Sequence, residues 1–238
     1  PHADHVDVVA ADAARPTVVW IADWAAAMVP VRAQHARLGK DAVLRHVAVT
    51  LGGDVVRMSA TVRYDAAGGD AELLGLYFAD AGQHLESRLL VDHSQPNCRS
   101  NVMYKGALQG DPESRKPDAR TVWVGDVLIR AEATGTDTFE VNRNLVLTDG
   151  ARADSVPNLE IETGEIVGAG HASATGRFDD EQLFYLQARG IPEDQARRLV
   201  VRGFFGEIIA KIAVPEIRDR LTDAIEHELA ITESRAQA

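Results

Sequence analysis

A single histidine stands in the stretch VGAGHASATGRF (167–178), among glycines, alanines and hydroxyl residues. The stretch holds no cysteine, carboxylate or second histidine that could serve as a local partner of His171. An imidazole can bind a metal or act as a general base, but both uses need further groups around it. A lone histidine is more often an ordinary hydrogen-bonded residue. The residues alone therefore leave the role of His171 open.

The other chemically capable residues do not form a recognisable catalytic or metal motif. His93 and Cys98 lie five positions apart, without the CxxC or HxxxH spacing of metal sites. The sequence contains neither a GxSxG nucleophile elbow nor a GxxxxGKS/T phosphate loop. GAGHAS (168–173) has the glycine spacing of a dinucleotide-binding loop, but no helix begins inside it. Cys98 is better explained as a small structural residue near a turn.

The overall composition excludes several classes of protein. The chain has 238 residues, of which 45% are hydrophobic, and its formal net charge is −11. This charge argues against nucleic acid or an anionic membrane as a partner. One cysteine excludes an internal disulfide framework, so we expect a cytoplasmic protein. No apolar run reaches the length of a membrane span. The chain starts with neither Met nor a signal peptide, and we expect it to be part of a longer protein.

Most of the chain has the pattern of short β-strands. Apolar and β-branched segments follow one another from Thr17 onward, and glycine- and aspartate-rich turns separate them. In VVRMSATVRY (55–64) the apolar and polar residues alternate, which is the period of a half-buried strand. We therefore predict a β body over residues 15–178, preceded by a flexible segment at 1–14.

The strand pattern alone does not decide the architecture of the β body. LGKDA (38–42) and TDGARA (148–153) resemble the corners of stacked solenoid coils. Strict hexapeptide repeats are absent, which disfavours a left-handed helix of the acyltransferase type. A sandwich and an irregular solenoid both remain open at this point.

The hydrophobic period changes from strand to helix near residue 179. We predict one helix that ends at Gly190, a second that begins at Pro192 and runs to about Ile212, and a third that begins at Pro215. These helices would form a C-terminal helical domain over residues 179–238. LVVRGFFGEIIAKIAV (199–214) is apolar on more than one face, so one face can dock on the β body and another can receive a partner protein.

Four stretches of the chain carry long and specific motifs. They are DHSQPNCRSNVMYKGAL (92–108), NRNLVLTDGARADSVPNLEI (142–161), LEIETGEIVGAGHASATGRFDDEQLFYLQARGI (159–191) and RGFFGEII (202–209). In this order, which covers most of the chain, they resemble the SufB/SufD family of iron–sulfur cluster assembly scaffolds. The resemblance implies a right-handed parallel β-helix followed by a helical domain, and the family's N-terminal region lies outside this chain.

Within that family the chain resembles SufD more than SufB. SufB has an essential cysteine after the tyrosine of its FY motif, and Leu186 holds that place here. His171 matches the essential histidine of SufD, whereas Ala169 stands where some SufD proteins carry a cysteine.

The resemblance to SufD implies partners and a site. The partners are SufB, in a heterodimer, and the ATPase SufC, with a possible homodimer when the subunit is isolated. His171 would be an iron ligand of a transient iron–sulfur cluster shared with SufB, and no cofactor would be bound permanently. Phe204, Phe205, Ile208 and Ile209 would contact SufC.

Two classes of function follow from these observations. The first is a non-catalytic scaffold subunit of a SufBCD complex. The alternative is a β-solenoid enzyme, carbohydrate-active or acyl-transferring, that uses His171 as general base. Co-purification distinguishes the two classes, because a scaffold brings down an ATPase and a paralogue whereas an enzyme turns over alone.

Overall fold

Successive strands of the chain alternate between two parallel sheets. In the computed structural model, which describes residues 1–111, 113, 115–178, 180–212 and 214–236, twelve strands form two six-stranded sheets. The strands are β1 (His2–Ala10), β2 (Thr17–Trp24), β3 (Pro30–Leu38), β4 (Val43–Gly52), β5 (Val55–Tyr64), β6 (Asp70–Ala79), β7 (His84–His93), β8 (Arg99–Leu108), β9 (Ala119–Ile129), β10 (Asp137–Val146), β11 (Ala151–Ile161) and β12 (Gly168–Arg177). Sheet A contains the odd-numbered strands and sheet B the even-numbered ones.

This strand order is that of a parallel β-solenoid. Each strand pairs in parallel with the strand two places along the chain, so two strands make one coil and the twelve described strands make about six coils. A sandwich would pair neighbouring strands in antiparallel fashion, and the described strands show no such pairing. The mainly β solenoid with C-terminal helices is therefore confirmed.

The coils stack in register, which places like residues in columns inside the solenoid. Leu38 lies beside Tyr64 in sheet A, and Leu44 lies beside Ala71 in sheet B. All four side chains are buried in one core cluster. Burying a large apolar side chain contributes about 1.5–3 kcal/mol, so the columns stabilise each coil against the next.

One corner of the solenoid repeats a left-handed residue from coil to coil. Ala13, Asp41, Gly68, Asn97 and Gly135 have positive φ angles between 54° and 80°. Each of these residues donates its backbone N–H to a carbonyl in the next coil, the acceptors being Lys40, Ala67, Pro96, Thr134 and Glu165. Asp41 lies in the predicted corner at 38–42, and Gly150, in the predicted corner at 148–153, also has a positive φ of 72°. Both predicted corners are confirmed.

The prediction of a flexible segment at 1–14 is wrong for residues 2–10. His2–Ala10 form β1, which pairs in parallel with β3 along its whole length. Polar residues obscure the pattern in the sequence, because they outnumber the apolar residues in the first half of the strand. The inward-facing Val8 and Ala10 nevertheless pack against the core.

The helices form the second compact unit of the chain. Contacts divide the chain into Pro1–Thr175 and Gly176–Ala238, near the predicted boundary at 178/179. The helices are α1 (Asp180–Ala188), α2 (Glu193–Lys211) and α3 (Pro215–Ala236). These bounds confirm the three predicted helices. Gly190 has a φ of 85°, which favours glycine after a helix, and Pro215 begins α3.

Candidate functional site

The last strand of the solenoid carries His171 and has one free edge. β12 pairs with β10 and ends sheet B, and β11 ends sheet A in the same way. Residues 171–177 of β12 are all exposed, whereas β10 is buried at most of its positions. Among the described strands, this end of the solenoid therefore has an unpaired strand edge with His171 on it.

Three contacts define how β12 lies against β10. Gly168 lies next to Asp137, and Gly170 lies 3.2 Å, measured from an added Cβ, from the ring of Phe139. The Asn144 Nδ2 donates to Thr175 Oγ1 at 3.3 Å. Each of these pairs has the same separation along the chain, so the register places His171 beside Glu140 on the neighbouring strand. Ala169, Thr175 and His171 share one face of β12, since side chains alternate along a strand.

Glu140 is a buried carboxylic acid on β10. Only 1% of the residue is exposed, and its Oε1 has no hydrogen-bond partner among the described residues. Burial, with a further contribution from the charge of Asp126, raises the pKa of Glu140 to about 8. Glu140 is therefore mostly protonated at neutral pH, and it can lose or take up a proton in the strand position next to His171.

A hydrogen-bonded polar network fastens the last coil to the coils before it. Asn144 donates to Asn142 at 2.8 Å and to Ser155 on β11 at 3.1 Å, besides its bond to Thr175. The Tyr77 hydroxyl donates to Asn144 Oδ1 at 2.7 Å. Burial raises the pKa of Tyr77, which keeps this hydroxyl a donor. The asparagines thus link β6, β10, β11 and β12 and position the strand that carries His171.

Sequence reasoning missed Glu140 and this network, although the sequence contained a signal. In DTFEVNRNLV (137–146) the alternate positions 138, 140, 142 and 144 are all polar, and all four are buried. A strand whose inward face is polar needs hydrogen-bond partners inside the fold. Such a polar inward face on β10, next to the strand that carries a lone histidine, indicates a functional role for this end of the solenoid in addition to packing.

His93 and Cys98 do not join His171. His93 is buried and lies 2.9 Å from Ser100 Oγ, and burial lowers its pKa to about 4. Cys98 is buried in the core cluster, and burial raises the pKa of its thiol. A buried thiol with a raised pKa is a poor metal ligand at neutral pH. This burial agrees with the interpretation of Cys98 as a structural residue, which stays a prediction.

The four apolar residues predicted to contact SufC differ in exposure. Phe205 and Ile208 on α2 are fully buried, whereas Phe204 and Ile209 are half-buried. Phe205 and Ile208 therefore pack inside the chain itself and are not exposed for contact with a partner. Phe184 on α1 is the most exposed large apolar residue described in the helical unit, at 71%.

Comparisons with known proteins identify the family. The family model for the SUF system FeS cluster assembly SufBD core domain matches residues 1–204. The chain belongs to the SufBD family. An iron-sulfur cluster assembly SufBD family protein of Mycobacterium tuberculosis is 83% identical over 233 residues, which are 98% of this chain and 59% of that protein. A SufBD family protein of Mycobacterium leprae is 77% identical over 237 residues, 100% of this chain and 60% of that protein.

A second, more distant SufBD family protein of M. tuberculosis also matches the chain. It is 27% identical over 228 residues, which are 96% of this chain and 26% of that protein. The chain thus spans about 60% of the length of its more similar SufBD relatives. None of these relatives is named as an enzyme of carbohydrate or acyl chemistry, so the comparisons do not support the alternative function. No described helix has the length and hydropathy to cross a membrane.

Proposed function

We propose that this chain is the core of a SufD-type scaffold subunit that pairs with SufB and binds the ATPase SufC. The observation that carries the proposal is the place of His171, which is exposed on the last strand of a solenoid in a SufBD family chain. The matching histidine is the one that the SufD resemblance marks as essential. The subunit would hold its partners and a growing cluster and would not itself catalyse a reaction.

The donor groups of the chain support a cluster shared with another subunit. Iron–sulfur clusters are held mainly by thiolates, although imidazole can replace some of them. Cys98, the single cysteine of these 238 residues, is buried, so this region offers no accessible thiolate, and in our proposal the thiolate ligands come from a partner subunit. His171 would supply a neutral ligand from the SufD side, and a SufB cysteine would face it. The cluster is the cargo of this site and would leave it after assembly.

The free edges of β11 and β12 support pairing with a second solenoid. A strand edge exposes a row of backbone N–H and C=O groups that another strand can satisfy. Two SufBD family proteins of M. tuberculosis match this chain, at 83% and 27% identity, so that organism contains a nonidentical family member of the kind that the proposal requires as a partner. In isolation the same edges could join two copies of this chain.

Anaerobic cluster reconstitution tests the role of His171. The experiment uses the full-length protein co-purified with its SufB and SufC, as wild type and as His171→Ala. We expect the variant to lose cluster formation, followed by charge-transfer absorbance. We expect its stability to change by no more than about 0.5 kcal/mol, because the side chain is exposed. His227→Ala, which removes another exposed histidine, is the matched control and should reconstitute normally.

Two outcomes contradict the proposal. If the complex that contains His171→Ala forms as much cluster as wild type, His171 is an ordinary surface residue. If the purified protein brings down neither an ATPase nor a paralogue, the scaffold assignment itself fails.

A further inference from the structure

Three potential metal ligands meet on the outer face of sheet A, in the first two strands of that sheet. They are His5 and Asp7 on β1 and His35 on β3, and all three are exposed. Asp7 and His35 are direct neighbours in the parallel register, and His5 lies two positions before Asp7 on the same face. One ligand atom of each residue lies within 4.8 Å of the other two.

The spacing of these atoms is close to that of a coordination sphere. Two ligands about 2.1 Å from one metal ion and at a right angle are about 3.0 Å apart. The Nε2 of His5 lies 3.0 Å from Asp7 Oδ1. The rings of His5 and His35 have centroids 4.9 Å apart and an interplanar angle of 80°. Small rotations of the His35 side chain can therefore bring its ring nitrogen to the ion that His5 and Asp7 bind.

The side chains around this cluster carry both signs of charge, since Arg37 and Arg63 line the same surface depression as Asp65 and Asp92. Arg37 is the next outward-facing residue on β3, and its Nε pairs with Asp65 at 2.9 Å. Arg32 pairs with Asp4 on the opposite, inward face of the same two strands. Thr61, beside His35 on β5, carries no charge.

We infer that His5, Asp7 and His35 form a binding site for a divalent first-row transition-metal ion. Two imidazoles and one carboxylate favour such ions over Mg²⁺ and Ca²⁺, which prefer oxygen ligands. Three ligands on one side leave the remaining coordination positions to water. The site lies on β1 and β3 of sheet A, whereas His171 lies on the last strand of sheet B, so the inference does not depend on the proposed function.

Titration with Co²⁺, followed by its visible absorption and by calorimetry on the full-length protein, tests the inference. We expect one site that Zn²⁺ displaces and Mg²⁺ does not. His5→Ala, Asp7→Asn and His35→Ala should each weaken the affinity at least about tenfold, since even outer-shell changes cost 10- to 100-fold. His84→Ala is the matched control, because His84 lies 3.7 Å from Glu86 on the same sheet but belongs to no three-ligand cluster among the described residues.

The outcomes separate this site from the one at His171. Unchanged affinity in His84→Ala and His171→Ala, with loss in the three ligand variants, supports the inference. Absence of Co²⁺ binding, or binding that persists in a His5→Ala/His35→Ala double variant, overturns it, as does loss of binding in His171→Ala. Asp7→Asn keeps the shape of the side chain, so it remains informative if an alanine variant fails to fold.

Discussion

The carboxyl group of Glu140, in the coil before the last, makes the stability of the solenoid depend on pH. Its pKa is raised from the ordinary value of 4.5 to about 8, mainly by burial. Between these two values the unfolded chain has lost the proton while the folded chain keeps it. Folding is therefore favoured by Glu140 below pH 4.5, and this contribution is lost as the pH rises toward 8.

Replacing this acid with its amide should remove the pH dependence that it causes. For Glu140→Gln, we expect the difference in unfolding free energy, variant minus wild type, to increase between pH 5 and 8 by up to about 1.4 kcal/mol per pH unit. Chemical denaturation at several pH values measures it. His46 and His93, with pKa values lowered to about 4, act in the opposite direction but are present in both proteins.

The control for this prediction is Glu86, a carboxylate whose pKa is lowered in the folded protein. Burial raises the pKa of Glu86, but the hydrogen bond from Arg88 and the charges of Arg57 and Arg88 outweigh burial and lower the pKa, so Glu86→Gln should not reproduce the increase. Parallel stability profiles of Glu140→Gln and wild type would show that Glu140 is ionised at neutral pH in the folded protein.

The edge of β11 shows which backbone groups are available for pairing. Glu162 donates its N–H to Ile129 on β9 at 2.8 Å, and alternate residues of a parallel strand bond to opposite sides. Residues 157, 159 and 161 therefore direct their backbone groups to the free side. Pro157 lies at one of these positions, where its missing N–H removes no bond within the sheet.

A second proline on this edge should weaken pairing with SufB without unfolding the body. Ile161→Pro removes a free-side N–H, so we expect normal circular dichroism and reduced affinity for SufB in a pull-down titration. Ile161→Ala controls for the lost side chain. Glu162→Pro removes the bond to Ile129 and should cost about 1 kcal/mol or more of stability. Full affinity in a folded Ile161→Pro protein would exclude this edge from the interface.

The division of the chain into two compact units implies that their roles can be separated. We expect deletion of residues 180–238 to abolish SufC binding while the β body, Pro1–Thr175, keeps its circular dichroism and its cooperative unfolding. A double variant, Phe204→Ser with Ile209→Ser, should weaken SufC binding in the intact chain, because both side chains are only half-buried. Unchanged affinity of the truncated protein for SufC would contradict the assignment.

The sequence predicts those parts of this molecule that depend on local chemistry. Gly190 and Pro215 mark helix ends, and Asp41 marks a corner, because each residue type suits its backbone geometry. The choice between solenoid and sandwich depends on which strands pair, and strand pairing is not local. The burial of Phe205 and the position of Glu140 beside His171 also arise only when distant segments pack together.

The left-handed corner residues Ala13, Asp41, Gly68, Asn97 and Gly135 repeat from coil to coil, so the β body is a linear array of similar coils. Backbone pairing joins each coil to the coils directly before and after it, and each of these left-handed corner residues donates its N–H to the next coil, so order propagates along the solenoid axis. The central coils are held from both sides, whereas the terminal coils are held from one and fray most easily. His171 lies on a terminal strand, and a partner that caps this strand would supply the missing neighbour and halt the fraying. Assembly and local ordering of the site would then be one event.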